Sequence, residues 1–151
     1  MTDTVKRYPV PAPDMDNRPM LEAWQGGRLL LPICTDCGRT FFYPRPLCPY
    51  CWSDVLDWRQ ASGRGTIVSF SLVRRPNDPV FFEEAPITLA EIRLDEDVSM
   101  LARIIDDDVN AIRSGMTVEL LPLPEAQRYP LPTFRIRSPG SNRTPSRSTA
   151  P

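Results

Sequence analysis

The second half of the chain alternates between apolar and polar residues, which predicts β-strands. In the stretch 66–74 (TIVSFSLVR), strict alternation places Ile67 on one face and Val68 and Phe70 on the other. Further apolar runs are separated by short polar or Gly-containing segments, as expected of a sheet with tight connections. The predicted strands are 66–74, 87–94, 98–105, 116–123 and 133–137.

These five strands predict a small closed barrel. The acidic turn 95–97 joins the second and third strands as a hairpin. A short helix is predicted at 106–113, where aspartates can cap the first turn and Gly115 follows the end. Five strands with one short helix between the third and fourth are typical of a Greek-key barrel of the OB type.

A short helix is predicted near the N-terminus, at 17–25. Pro19 suits the first helical turn, and a Gly-Gly pair follows at 26–27. Leu21 and Trp24 are three residues apart and share one face. That face packs either on the chain's own metal-binding segment or on a partner subunit, and the sequence leaves both possibilities open.

All four cysteines fall in one stretch, 34–51 (CTDCGRTFFYPRPLCPYC), as two CxxC pairs. Disulfides need an oxidising compartment, whereas the N-terminus lacks the apolar core of a signal peptide. We therefore expect a cytoplasmic protein in which Cys34, Cys37, Cys48 and Cys51 hold a metal tetrahedrally. Zinc is favoured, although iron accepts the same ligands. Four protein thiolates leave no open position, so the site staples structure and activates no water.

The segments around the cysteines predict a zinc ribbon, with residues 28–33 and 40–43 as its hairpin. The predicted organisation is an extended Pro-rich arm at 1–16, the helix and ribbon at 17–60, a barrel at 61–137 that opens with a linker at 61–65, and a disordered tail at 138–151. The fold class is thus mainly β: an N-terminal helix and rubredoxin-like zinc ribbon, followed by a five-stranded OB-fold barrel.

Composition excludes several classes of function. The 151 residues carry a formal net charge of −1, which disfavours a nucleic-acid polymer as the partner. No apolar run approaches the roughly 18 residues that a membrane span needs. The chain has no histidine, the commonest general base. The acidic triplets 95–97 and 106–108 are interpreted as a turn and helix caps.

An ordered set of motifs resembles a known family. A Trp24-Gln25-Gly26 helix end precedes the ribbon, and Phe42, Pro44 and Arg45 lie between the cysteine pairs. Then follow SGRGTIVSFSLV, APITLAEIRLDEDVSMLARI and IRSGMTVEL. Over residues 18–137 the chain is similar to the zinc-ribbon plus OB-fold proteins catalogued as domain of unknown function thirty-five. The family usually has Gly where this chain has Asp97, a residue that tolerates a left-handed turn.

The resemblance implies a non-catalytic subunit associated with acyl-CoA. Family members are partners of thiolase-type enzymes, including lipid-transfer-type aldolases, and of some acyl-CoA hydratases. They dock on the enzyme and help to hold the coenzyme A moiety near its tunnel. The resemblance therefore implies a thiolase-like or hydratase-like protein partner and acyl-CoA as the ligand.

Coenzyme A would need guanidinium groups for its phosphates and aromatic or apolar surface for its ring. Lys6 is the only lysine, so nearly all positive charge is arginine. Two clusters of residues meet this need. The alternative interpretation is that their arginines are solvated and their aromatic residues belong to the core. The ribbon cluster is Arg39, Phe42 and Arg45, and the barrel cluster is Arg74, Arg75, Phe81 and Phe82. Adjacent side chains of a strand point to opposite faces, so one of Phe81 and Phe82 is expected to be exposed.

Two other functions compete with the accessory subunit. A nucleic-acid-binding module also combines zinc ribbons and OB folds, and it predicts a basic groove with interleaved aromatics. An enzyme that uses its thiols needs a reactive cysteine, and four ligated cysteines leave none.

Overall fold

The computed structural model describes residues 8–138. These residues form one α-helix, seven strands and three short 3-10 turns. The helix is α1 (Arg18–Gln25), and the strands are β1 (Leu30–Cys34), β2 (Leu56–Gln60), β3 (Arg64–Val73), β4 (Ile87–Leu94), β5 (Ser99–Ile105), β6 (Thr117–Leu120) and β7 (Thr133–Ile136). The 3-10 turns are Pro79–Glu84, Val109–Ala111 and Glu125–Arg128. The mainly β class is confirmed.

The five C-terminal strands close into a barrel in the order β3-β4-β5-β7-β6. All neighbours are antiparallel except β5 and β7, and β3 pairs with β6 to close the barrel. Ile67, Ile92, Val118 and Phe134 are at most 1% exposed and lie in its core. The predicted five-stranded OB-type barrel is therefore confirmed.

A β-bulge in β3 breaks the predicted alternation. Ile67 pairs with Ile92, but the next pair along is Ser69 with Glu91, so Val68 is the extra residue. Val68 is exposed, and both Ile67 and Phe70 pack on the barrel core. Placing Ile67 and Phe70 on opposite faces was therefore wrong, because one inserted residue shifts the side-chain alternation of the strand beyond it.

Two connections of the barrel differ in how closely they follow the prediction. At the acidic turn, Asp97 adopts a left-handed φ of 61°, as its tolerance of that conformation predicts. The helix predicted at 106–113 is only a 3-10 turn, in which the Asp108 carboxylate accepts from the backbone N–H of Asn110 at 3.0 Å. The backbone becomes extended at Ile112, which is fully buried in the barrel core, so core packing ends the turn.

Helix α1 forms where predicted, and it lies against both the ribbon strand β1 and the segment that follows β6. Trp24 clusters with Leu121 and Ala126, and its Nε1 donates to the Tyr129 carbonyl at 2.8 Å. Leu21 is 9% exposed and Trp24 is 1% exposed. Trp24, which was predicted to contact the ribbon or a partner, is thus covered by this chain's own C-terminal segment beside the 125–128 turn.

The ribbon hairpin is built differently from the prediction. Strand β1 pairs along its whole length with β2, whereas Thr40 contributes only one bridge, to Ile33. The predicted pairing of β1 with 40–43 is therefore short: the Ile33–Thr40 bridge is flanked by one bond from the Phe41 N–H to the Pro32 carbonyl at 3.1 Å, and Phe41 packs beside the cysteines, 2% exposed. The linker predicted at 61–65 is also shorter, since Ala61 lies in the barrel core and β3 begins at Arg64.

The chain termini are only partly covered. Residues 8–14 form neither helix nor strand, in agreement with an arm, and the tail predicted at 138–151 lies outside the described residues except for its first position. Within the described range, none of the helices has the length and apolar character to cross a membrane.

Candidate metal centre and ligand-contact surface

The four cysteine sulfurs converge on one point. The Sγ atoms of Cys34 and Cys51 are 3.5 Å apart, those of Cys37 and Cys48 are 3.7 Å apart, and all four lie within 4.8 Å of one another. A tetrahedron with metal–sulfur bonds of about 2.3 Å has sulfur–sulfur edges of about 3.8 Å. The four thiols are therefore close enough together to hold one tetrahedral metal ion.

Backbone N–H groups support the thiolates. The N–H of Cys37 donates to the Cys34 sulfur at 3.5 Å, and that of Tyr50 donates to the Cys48 sulfur at 3.4 Å. Hydrogen bonding from Cys37 lowers the pKa of the Cys34 thiol to about 7. Such donors favour the charged form that a metal requires.

The two CxxC turns share one backbone geometry but not one sequence. The N–H of Gly38 donates to the Cys34 carbonyl at 2.8 Å, and the N–H of Trp52 donates to the Cys48 carbonyl at 3.0 Å. Both residues are left-handed, with φ of 75° and 64°. Glycine adopts this conformation freely, whereas a side chain costs about 1 kcal/mol. The second turn therefore carries a strained tryptophan where the first carries glycine.

This donor set supplies structure rather than reactivity. Cys34 and Cys48 are buried with Phe41, and Cys37 and Cys51 lie on the exposed side. Four protein thiolates complete a tetrahedron, so no position remains for water or substrate. The metal-binding prediction for these cysteines agrees with the geometry, which suits zinc and iron alike.

The three residues of the ribbon cluster predicted for coenzyme A each make a different local contact. Arg39 lies over the Tyr50 ring, 4.7 Å from its centroid, and Arg45 Nε donates to the Tyr43 carbonyl at 3.3 Å. Phe42 is partly buried and packs against the barrel core. Both arginines are exposed, and a contact of this cluster with coenzyme A stays a prediction.

The barrel cluster is more open. Arg74 and Arg75 are exposed just beyond β3, and Phe82 is 57% exposed. Phe81 instead stacks on Tyr8, with ring centroids 5.5 Å apart. The expectation that one of the two phenylalanines is exposed is confirmed, and a 3-10 turn at Pro79–Glu84 separates their directions.

An apolar groove of about 740 Å³ adjoins this cluster. It runs over the outer side of the barrel and reaches the connection that follows Arg74 and Arg75. The lining includes Phe70, Val73, Pro76, Phe81, Leu89 and Leu101. Arg74 and Arg75 precede this connection in the chain but do not line the groove, whereas Arg103 does.

A polar network that the sequence did not reveal lies beside the groove. Arg103 forms an ion pair with Glu84 at 2.6 Å, and its guanidinium sits 5.3 Å from the Tyr129 ring centroid. The Tyr8 hydroxyl donates to Glu84, and burial together with this bond raises the pKa of Tyr8 to about 12. These residues are far apart in the chain, so no local motif could have identified them.

Comparison with known proteins places the two halves of the chain in one family. The rubredoxin-like zinc ribbon domain of ChsH2 matches residues 21–57, and the C-terminal OB-fold domain of ChsH2 matches residues 58–121. A four-thiol ribbon followed by an OB-fold barrel thus defines the class of this protein. The chain belongs to the DUF35 family of zinc-ribbon plus OB-fold proteins, as its motifs predicted.

Two curated proteins are similar to this chain in sequence. The chain is 31% identical over 131 residues to the "Probable enoyl-CoA hydratase alpha subunit" of Thermomonospora curvata, covering 87% of this chain and 40% of that protein. It is 36% identical over 85 residues to a "DUF35 domain-containing scaffold protein" of Pyrococcus furiosus, covering 56% and 61% respectively. The chain therefore spans about two-fifths of the first protein and three-fifths of the second.

Solved structures show the same architecture. A chain of the "Ltp2-ChsH2(DUF35) aldolase" superposes with a TM-score of 0.71 at 30% identity, covering 83% of this chain and 98% of that one. A DUF35 protein of unknown function from Sulfolobus solfataricus gives a TM-score of 0.57 at 14% identity, covering 79% and 83%. At that identity the second likeness concerns the fold alone.

Proposed function

We propose that this protein is a non-catalytic, zinc-binding accessory subunit of an acyl-CoA-processing enzyme. Its partner is a thiolase-like enzyme, such as a lipid-transfer-type aldolase, or an acyl-CoA hydratase. The observation that carries the proposal is the likeness along 98% of a chain of the Ltp2-ChsH2(DUF35) aldolase at 30% identity. The curated relatives named hydratase subunit and scaffold protein support the same role.

Zinc is the metal we propose for the ribbon. Cys34, Cys37, Cys48 and Cys51 would hold it through four thiolates, the donor set of closed structural zinc sites. The bound ion would supply a structural cross-link between the two CxxC turns. The ribbon's own buried cluster is small, so the metal stabilises what apolar packing cannot.

The barrel contributes the surface for coenzyme A. Arg74 and Arg75 are exposed and suited to forked contacts with phosphates. The adjoining apolar groove of about 740 Å³ offers a path for the thin pantetheine arm, and the exposed Phe82 offers a face for the adenine. The proposal assigns the phosphates to the arginine end and the acyl end to the partner enzyme.

The proposed role is tested by purifying the chain from its native host under reducing conditions. The expected result is a stoichiometric thiolase-like or hydratase-like subunit, identified by mass spectrometry, with one zinc per chain by elemental analysis. A metal-loaded protein that carries nucleic acid and no such subunit would contradict the proposal.

Replacing both Arg74 and Arg75 with alanine tests the coenzyme A surface. Each charge-assisted bond to phosphate contributes roughly 1.5–3 kcal/mol, so the complex should lose at least about tenfold in affinity for coenzyme A. Calorimetric titration of the purified complex measures this. Arg93→Ala is the matched control, because Arg93 pairs with Thr66 at the opposite end of the β3–β4 hairpin. Equal losses for the two variants would contradict the assignment.

A further inference from the structure

The two CxxC turns of the ribbon have the same backbone conformation after the second cysteine, but one turn has glycine there and the other has tryptophan. Gly38 and Trp52 each follow the second cysteine of a pair, and each adopts a left-handed φ. Glycine is the residue that this conformation favours. Trp52 is therefore a residue that the local backbone disfavours, held in place by the metal-binding turn around it.

The fold gains little from the Trp52 side chain. It is 75% exposed, whereas the indole of Trp24 is 1% exposed and hydrogen-bonded. Within the described residues, the hydrogen bond of Trp52 is made by its backbone N–H and not by its indole. The indole ring also stacks on no other aromatic residue there. Backbone strain combined with an exposed large aromatic indicates a role outside the folded chain.

Other exposed apolar residues surround Trp52 in the sequence of the ribbon. Of the thirteen large hydrophobic residues that are exposed within residues 8–138, five fall between 43 and 55. They are Tyr43, Leu47, Tyr50, Trp52 and Val55. Arg39, whose guanidinium lies over Tyr50, adds a cation to this group. Tryptophan, tyrosine and arginine are the residues that most often carry the energy of protein–protein binding.

The charge of the ribbon favours a protein over a phosphate polymer. Apart from the cysteines, residues 34–55 contain two arginines, Arg39 and Arg45, and two aspartates, Asp36 and Asp54, which balance, and four thiolates around a divalent ion would add no positive charge. Nucleic-acid surfaces need an excess of positive charge along the groove. An aromatic surface with balanced charge fits an apolar pocket with a polar rim on another protein.

We propose that Trp52 is the anchor through which the ribbon docks on its partner enzyme, with the indole inserted into an apolar pocket of that subunit. This inference rests on the proposed function, because it assigns the ribbon's contact residue in the same complex. The metal holds the turn rigid, so the anchor is presented in a fixed direction, and little conformational freedom is lost on binding.

Trp52→Gly tests this assignment because it separates folding from binding. Glycine suits the left-handed backbone, so the thermal midpoint and the zinc content should equal or exceed those of the wild type. The affinity for the purified enzyme subunit, identified by co-purification, should fall at least tenfold. Trp52→Phe, which keeps an aromatic ring on the same backbone, should retain affinity within about threefold. Calorimetry or biolayer interferometry measures all variants.

Asp97→Gly is the matched control, because Asp97 is the other non-glycine residue with a left-handed φ in the described chain. It relieves the same kind of strain on the barrel and should leave partner affinity unchanged. Partner binding by Trp52→Gly equal to wild type would overturn the inference and leave the proposed function intact. Loss of zinc in Trp52→Gly would also overturn it, by showing a structural role. Use of Trp52 for self-association or oligonucleotide binding would overturn the inference, and a wild-type chain that binds no enzyme subunit would overturn both the inference and the proposed function.

Discussion

The ribbon and the barrel achieve stability in different ways. The barrel core contains fourteen buried residues within the described range, including Leu29 and Leu31, which the ribbon side of the chain contributes. The ribbon's own buried cluster contains only Cys34, Phe41 and Cys48. The barrel is therefore held by apolar burial, whereas the cysteine turns depend on the metal.

This difference explains where exposed aromatics are tolerated. The barrel buries Phe134 in its core and exposes Phe82 on the connection between β3 and β4, outside its strands. A unit cross-linked by a metal does not need to bury its aromatic residues, so the ribbon can leave Tyr50 and Trp52 exposed for contacts with other molecules. Because the metal stabilises the ribbon, these aromatic side chains are not needed in a core and remain available for binding.

Cys48→Ser should have the largest effect, and it should be confined to the cysteine turns. Removing one of four thiolates removes most of a binding energy of roughly 10–16 kcal/mol in structural zinc sites. Hydrogen exchange should show loss of protection at the amides of Gly38 and Trp52, while β4 and β5 remain protected. Chelation of the wild type should reproduce the pattern, and loss of protection throughout the barrel would show that the two regions fold as one unit.

Phe134→Ala should have the next largest effect, in the opposite region. The ring is fully buried in the barrel core, so its removal should lower the free energy of unfolding by about 3–5 kcal/mol. Urea unfolding followed by circular dichroism measures the loss. Zinc content should stay at one per folded chain, and release of zinc from the folded variant would mean that the barrel also maintains the metal site.

Tyr8→Phe should have the smallest effect and should depend on pH. Loss of the hydrogen bond to Glu84 should lower the free energy of unfolding by about 1 kcal/mol. The folded-state pKa of Tyr8 is raised from 10.0 to about 12, so this contribution is complete below pH 10 and is lost as the pH rises toward 12.

The measurement for Tyr8 is the difference in unfolding free energy between wild type and Tyr8→Phe at pH 8 and pH 12. The difference should shrink at the higher pH. Tyr50→Phe is the control, since Tyr50 is exposed and lies on the ribbon. A difference that grows with pH would show that the network favours the ionised phenol.

Features that depend on neighbouring residues in the chain were predicted well. The CxxC spacing predicted that the four cysteines come together, and the Pro19 start and Gly26 end predicted α1. Alternation located all five barrel strands to within a few residues. These signals are local because turn chemistry, capping and side-chain periodicity act over a few residues.

Features that depend on distant residues were missed or wrong. The bulge at Val68 arises from the pairing of β3 with β4, and the full-length pairing of β1 joins it to β2, more than twenty residues further along the chain. The Tyr8–Glu84 contact joins residues 76 positions apart. The residue pattern of one segment does not specify which other segment it will pair with or pack against.

Spacing and composition alone decided that this chain has a four-thiolate centre, a β-barrel and no histidine for acid–base chemistry, because those properties are written in residue types and short intervals. Only the tertiary structure decided that Trp24 is buried while Trp52 is exposed on a left-handed turn. The local sequence does not distinguish the two tryptophans. Their exposure differs because the C-terminal segment covers the ring of Trp24 and does not cover that of Trp52.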